Sequence, residues 1–357
     1  MCVCVETKIC VFRFFLCSVF WGSVSCETIF ENSKTMMVLL IQRIVEWFLF
    51  VLWNHVLWWY PWSVCRIQKV HDRSVVVTGA ASGIGNALVK TLANSGWTVI
   101  ACDIDVAKLV HLNQVRNVST YHLDVRSLSS AKLLNREVEK QFPNGLDAVV
   151  NCAGINVPSP LLATTIDSIE KTISVNSIGP IRVVRSLLYS LLKKSGGGIV
   201  VNVSSTTAES AWPFTGAYNM SKAALESATD TIRREVIANN LNLRVCLVIP
   251  GPVNTPMASQ SPYKAIRWCN ENSSSVWEPA MRKSAERSRD AMQRWNLTPS
   301  SYRLGYTASE VAAVCSTALT SKNPRARYYC VRGPFLWLLR FSGFMPTEIG
   351  DAVMASV

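Results

Sequence analysis

Two stretches place a tyrosine one helical turn before a lysine: "AYNMSK", with Tyr218 and Lys222, and "LYSLLKK", with Tyr189 and Lys193. At that spacing both side chains share one helix face. A phenol with a pKa of about 10 is poorly matched to acid–base work at neutral pH, and an ammonium one turn away favours the phenolate and lowers that pKa. Such a pair suits proton transfer at an oxygen, the step that accompanies hydride transfer at an alcohol carbon. At most one of the two pairs needs to do it.

A second group of residues points to a nucleotide. "TGAASGIG" (78–85) lies between a short β-branched run, "SVVVTG", and a segment of helical period, 84–95. Gly79, Gly83 and Gly85 let the chain approach a pyrophosphate closely. The helix start, with Ser82 and Ile84 in the turn, supplies unpaired N–H groups. Further on, Asp103 closes a second strand, "WTVIACD", where a carboxylate can accept from an adenosine ribose and repel a 2′-phosphate. No arginine or lysine stands in the glycine turn or directly after Asp103, which favours NAD over NADP.

The elements that must position these residues alternate. "STYHLDV" reads as a third strand, 127–142 as a helix, "LDAVVNCAG" as a fourth strand and 167–194 as one long helix. "GGIVVNVSS", a helix over 216–240, "LRVCLVIPG" and "ARYYCVRG" (326–333) follow. Apolar strands separated by helices predict an α/β fold, a doubly wound parallel sheet of about seven strands in a single domain over 70–335. A polar, basic stretch at 254–308 interrupts the alternation after the sixth strand, where insertions cover the ligand crevice.

Composition narrows the class. The chain has 357 residues, 49% hydrophobic and 17% charged, with a formal net charge of +12. The basic residues are dispersed and no zinc-finger or RNA-binding motif gathers them, so nucleic acid is not an expected partner. Cysteines after residue 26 show no Cys-x-x-Cys pairing, which argues against a metal site or disulfide framework and for a reduced, cytosol-facing domain.

Residues 1–35 read as a signal-like or extra segment and 36–69 as a hydrophobic membrane anchor, "MMVLLIQRIVEWFLFVLWNHVLWWYPW". Arg43, Glu46, Asn54 and His55 interrupt it, and Trp58, Trp59, Tyr60 and Trp62 form an interfacial aromatic cluster, so both a spanning and an interfacial helix stay open. Arg66, Lys69 and Arg73 place the downstream domain on the cytoplasmic side.

"TGAASGIG", "NCAG" (151–154), "VNVSS" (201–205), "YNMSK" (218–222) and "PGPVNT" (250–255) together resemble the short-chain dehydrogenase/reductase family, with its Rossmann-type sheet. The resemblance implies a serine about thirteen residues before the tyrosine. Counting from Tyr218 reaches Ser205; counting from Tyr189 reaches Asn176. The catalytic set it implies is therefore Asn176, Ser205, Tyr218 and Lys222. In it Ser205 bonds the substrate oxygen, Lys222 also holds the nicotinamide ribose, and Asn176 serves a water-borne proton relay.

By the same resemblance Asp124 and Val125 lie at the adenine, Asn151, Ala153 and Gly154 along the cofactor, and Pro250, Gly251, Val253 and Thr255 beside the nicotinamide. Cys152 departs from the family's second asparagine and puts local strand hydrogen bonding in question. Sequons at Asn202 and Asn219 fall inside these motifs and read as coincidence.

The ending, "RYYCVRGPFLWLLRFSGFMPTEIGDAVM" (327–354), is similar to the tail of the membrane-associated retinol dehydrogenase and 17β-hydroxysteroid dehydrogenase branch. Residues 336–357 then form an apolar tail, resting on a bilayer or packed on the core. The expectation is an NAD-dependent oxidoreductase of a lipophilic alcohol, membrane-associated at the endoplasmic reticulum with its catalytic domain facing the cytosol. The resemblance also implies a homodimer or homotetramer through 167–194 and 216–240. An NADP-dependent carbonyl reductase and a catalytically silent nucleotide-binding scaffold are the rivals.

Overall fold

The computed structural model describes residues 72–297 and 305–331. By its contacts the chain divides into Met1–Val64 and Cys65–Val357, and every described residue belongs to the second unit. The expected anchor at 36–69, the segment 1–35 and the tail 336–357 lie outside the described residues. Among the described residues no helix is long and apolar enough to cross a membrane.

Seven parallel strands form the main sheet: β1 (Ser74–Thr78), β2 (Thr98–Asp103), β3 (Val118–His122), β4 (Ala148–Asn151), β5 (Gly198–Val203), β6 (Leu243–Pro250) and β9 (Arg327–Cys330). Their order is β3-β2-β1-β4-β5-β6-β9. The winding reverses between β1 and β4, the place where an open α/β sheet leaves a crevice at its carboxyl ends. β7 (Val253–Asn254) and β8 (Tyr306–Thr307) make a separate two-stranded pair.

Both faces of the sheet are covered, which explains why its strands are continuous β-branched runs rather than alternating ones. Val75 and Val77 of β1 pack with Leu88 and Leu92 of α1 (Gly83–Asn94) and with Val311 and Cys315 of α8 (Ala308–Thr320). Val76 points the other way, into a cluster with Leu134 of α2 (Leu128–Gln141) and Leu187 of α4 (Gly179–Lys193). α8 starts at a capping box in which Thr307 and Glu310 satisfy each other's backbone N–H.

The long helix predicted over 167–194 runs without a break from Ile166 to Lys193, with a π-helical turn (Ser174–Ile178) between α3 (Ile166–Ile173) and α4. Pro180 in the first turn of α4 has no N–H to give to the preceding turn, and Gly179 is packed so closely that a Cβ would meet Val125 Cγ2 at 2.9 Å. The next helix, α5, spans Gly216–Ala238. The insertion after β6 folds as two helices, α6 (Pro256–Glu271) and α7 (Glu278–Leu297), around Ala265, Cys269, Met281 and Ala285.

Two glycines at the β1–α1 junction leave no room for a side chain. A Cβ on Gly79, whose φ is 69°, would stand 2.7 Å from the Ala153 backbone, and one on Gly85 would overlap the Gly79 carbonyl. Gly85→Ala is therefore expected to destabilise the protein by about 3 kcal/mol or more, read from the midpoint of urea unfolding.

Candidate active site

One cleft of about 1230 Å³ runs over the carboxyl ends of the strands. At one end lies the glycine turn. α1 begins at Ser82 without a side-chain cap or an acidic residue in its first turn, so no carboxylate of the helix itself faces its leading N–H groups. Gly83 has a φ of 55° and lies against Thr255, where a Cβ would come within 3.4 Å of the threonine methyl. These features and the exclusion of side chains at Gly79 fit a dinucleotide phosphate.

Asp103 braces the turn. Its Oδ2 accepts from Ala81 N at 3.0 Å and its Oδ1 from Asp105 N at 3.1 Å, which leaves each oxygen of this cleft-lining residue with capacity for a further bond. Asp124 also lines the cleft, but Arg126 grips its carboxylate at 2.7 Å and holds its pKa below the usual range. Lys108 and Arg126 both reach the cleft, which the sequence reading did not foresee; Lys108 pairs with Asp105 at 2.7 Å. Neither is adjacent to Asp103 in sequence, so no local signal marked them.

β4 and its following loop form the far wall. Asn151 donates to Asn202 at 2.8 Å, and Asn202 to Thr229 at 2.9 Å, a buried side-chain row from β4 through β5 to α5. Cys152 packs against the apolar core with its thiol pushed up to about 12 by burial. Pairing with β1 survives this departure: Thr78 stands opposite Asn151, and Ala153 N donates to Thr78 Oγ1 at 3.2 Å. Gly154 leaves just enough room for its neighbours, since a Cβ would meet Asn176 Oδ1 at 3.4 Å. Across the cleft, Val125 is buried beneath Gly179, and Gly251 N donates to Cys330 O beside Pro250. Val253, Thr255 and Ile84 line the nucleotide end.

Ser205, Tyr218 and Lys222 meet mid-cleft. Ser205 lies two residues beyond β5, at the start of a short 3-10 turn (Thr206–Ala208), and its Oγ accepts from Thr207 N at 3.2 Å. Lys222 is buried and donates to the Val203 carbonyl at 2.8 Å, with its Nζ 5.6 Å from the Tyr218 ring centroid. Burial lowers its pKa to about 8. The expected lowering of the phenol pKa by Lys222 is not what the site shows. Burial pushes Tyr218 up to about 12, opposed by a hydrogen bond with Ser205. Tyr189 is 69% exposed on α4, away from the cleft.

Asn176 is completely buried in the π-helical turn. Its Oδ1 accepts from Ile155 N at 2.8 Å, and its Nδ2 donates to Ile155 O and to Ser221 Oγ, both at 2.9 Å. The side chain clips the β4 loop to α5.

Three further groups were not picked out from the sequence. Trp212 and Phe214 wall the cleft from the β5–α5 loop, Phe214 with a φ of 61° and packed against the α6–α7 cluster. Behind Lys222, the buried Glu226 accepts from Ser204 at 2.7 Å and from Arg327 at 3.0 Å. Its position one turn after Lys222 was visible; its partner on β9 was not.

Residues 73–265 match the profile of the short chain dehydrogenase family. The chain is similar to the (3R)-3-hydroxyacyl-CoA dehydrogenase of Homo sapiens, 31% identical over 211 residues that cover 56% of this chain and 80% of that protein. It is also similar to short-chain dehydrogenase/reductase family 9C member 7 of Bos taurus, 29% identical over 296 residues, 81% of this chain and 91% of the relative. The crystal structure of a short chain dehydrogenase/reductase from Burkholderia phymatum in complex with NAD, 22% identical, has a TM-score of 0.62 and covers 77% of this chain and 94% of its own. At that identity the likeness speaks for the fold.

Removing the clip tests its part in holding the site. Asn176→Ala leaves the Ile155 backbone pair unsatisfied and is expected to cost about 2–4 kcal/mol, measured by urea unfolding.

Proposed function

We propose that this chain, which belongs to the short chain dehydrogenase family, moves a hydride between NAD and a lipophilic alcohol, ketone or aldehyde, with Tyr218 as the general acid–base. That it is an NAD(P)-dependent oxidoreductase of alcohols and carbonyl compounds follows from the family. The choice of NAD, the residue roles, and a retinoid, steroid or related lipid as substrate are the finer reading.

The observation that carries it is the continuity of the cleft, which joins the glycine turn to Ser205, Tyr218 and Lys222 and then to an apolar wall of Trp212, Phe214, Met257 and Met281. A bound nicotinamide dinucleotide supplies the hydride acceptor or donor. The glycine turn and the first turn of α1 would hold its phosphates, and Asp103 its adenosine ribose. Tyr218 takes the carbinol proton during oxidation and returns it to the carbonyl oxygen during reduction. Ser205 donates to that oxygen as charge grows on it.

NAD is supported by charge. At the adenosine end Asp103, Asp105 and Asp124 face two bases, Lys108 and Arg126, each already paired with a carboxylate. A 2′-phosphate would meet a net negative site unless those pairs open, which is the opening for the NADP reading.

The membrane placement, at the endoplasmic reticulum with the domain facing the cytosol, rests on the sequence of 36–62 and 334–345 alone. A homodimer or homotetramer is supported by exposed Ile178 and Tyr189 near and on α4 and Met220 and Ile237 on α5.

Turnover of retinols and hydroxysteroids with NAD and with NADP tests the proposal. Tyr218→Phe is expected to keep nucleotide binding and to lose at least about a thousandfold in kcat; an equally active variant defeats the mechanism.

The pKa shifts give a direction. Tyr218, pushed up to about 12, is a neutral phenol at neutral pH, so the acid for reduction is in place and the base for oxidation is scarce. kcat/KM for reduction should therefore stay level across roughly pH 6–8, while that for oxidation rises up to about tenfold per pH unit.

A further inference from the structure

A carboxylate stands behind the reacting groups and off the cleft. Glu226 follows Lys222 by one turn of α5, and both are buried together with Ser204. Its Oε1 accepts from Ser204 Oγ at 2.7 Å and its Oε2 from Arg327 at 3.0 Å, so each oxygen has a donor. Arg327 reaches it from β9 and also holds Asp230 at 2.6 Å, and Asp230 pairs with Arg233 at 2.9 Å. Burial pushes the Glu226 carboxyl up; the Ser204 hydrogen bond and Arg327 hold it down, while Glu209 of the β5–α5 loop and Asp230 add to the rise. Burying a charge in this way costs stability that an apolar side chain of similar size would not.

Both sides of Glu226 lead to the site. Ser204 precedes Ser205 and is tied to β6 through its N–H, which donates to Val248 O at 2.8 Å. Burial lowers the Lys222 pKa, and the groups that oppose it are Cys152 on the β4 loop and Glu226 on α5. Lys222 Nζ lies 5.6 Å from the Tyr218 ring centroid, and only its protonated form attracts the ring face.

We propose that Glu226 is a positioning residue for the reaction, seating Ser205 through Ser204 and keeping Lys222 an ammonium beside the Tyr218 ring. This rests on the dehydrogenase reading and adds to it a charge that touches neither substrate nor cofactor. Arg327 limits the effect by neutralising part of the carboxylate.

The test follows Lys222 directly, by NMR of the full-length protein with its lysines isotope-labelled at the ε carbon and the signal assigned by its loss in Lys222→Arg. Reduction of retinal and of a ketosteroid by NADH is measured across the same pH range. In the wild-type protein Lys222 should titrate near pH 8, and reduction should decline above it. Glu226→Gln keeps an acceptor for Ser204 and removes the charge, so the titration and the decline should both move down by about one pH unit. That shift lowers kcat about fivefold near pH 8 and leaves KM for the carbonyl compound close to wild type. Arg327→Gln leaves the carboxylate uncompensated and should move both up. Ser204→Ala should leave the titration in place and lower kcat at every pH. Lys194→Gln, which breaks a 2.8 Å pair with Asp147 off the cleft, should leave titration and kinetics unchanged.

Opposite shifts from two variants that break one ion pair are not what a general loss of structure produces. A titration and a pH profile that stay put in Glu226→Gln and Arg327→Gln, or move the same way in both, overturn the proposal. Where Glu226→Gln does not fold, the sign of the shift in Arg327→Gln decides alone. Shifts of the expected sign in a protein that reduces neither compound, with NADH or NADPH, would leave the hold of Glu226 on Lys222 standing and sink the dehydrogenase reading instead.

Discussion

The reversal of winding between β1 and β4 is the constraint on which the site depends. β2 and β3 lie on one side of β1, and β4, β5, β6 and β9 on the other. The connections leaving the carboxyl ends of β1 and β4 therefore part in opposite directions and leave a crevice that no crossover fills. The parallel register brings Thr78, Asn151 and Asn202 to one level, so chemistry attached to the ends of three strands opens into the same cleft. Burial on both faces holds the strands in place, since Val75 and Val77 and their neighbour Val76 each have a core of their own.

Such a crevice needs its walls tied together, and the ties are polar and buried. Asn176 joins the β4 loop to α5, and the Asn151–Asn202–Thr229 row joins β4 and β5 to the same helix. α5 carries Tyr218 and Lys222, so each tie sets the height of the phenol above the sheet. Buried hydrogen bonds of this kind add little when made and cost much when broken, which makes them better at fixing position than at adding stability. Lys222 is itself such a tie, through Val203.

The legible part of the molecule was the part written in local patterns. β-branched runs marked the strands of the main sheet, and the glycine turn marked the β1–α1 junction. The resemblance placed Ser205, Tyr218 and Lys222, which the fold brings to one point. The π turn between α3 and α4 had a local sign, Gly179 followed by Pro180, but helical periodicity continues across it and masks it. Lys108, Arg126, Trp212, Phe214 and Arg327 could not be read, because each acquires its neighbours only through strand order and helix packing. The sense of the shift at Tyr218 was hidden for the same reason: the burial that raises it comes from packing and not from local spacing.

The central claim is that one cleft holds a nicotinamide dinucleotide and an alcohol side by side, with Tyr218 handling the proton. The most direct measurement follows the hydride itself, by incubating the protein with NAD and a lipophilic alcohol deuterated at the carbinol carbon and analysing the reduced dinucleotide by mass spectrometry. One deuterium in NADH for each carbonyl formed, abolished in Tyr218→Phe, is the predicted result. Carbonyl formation with no deuterium in the dinucleotide, or undiminished transfer without the phenol, would contradict it.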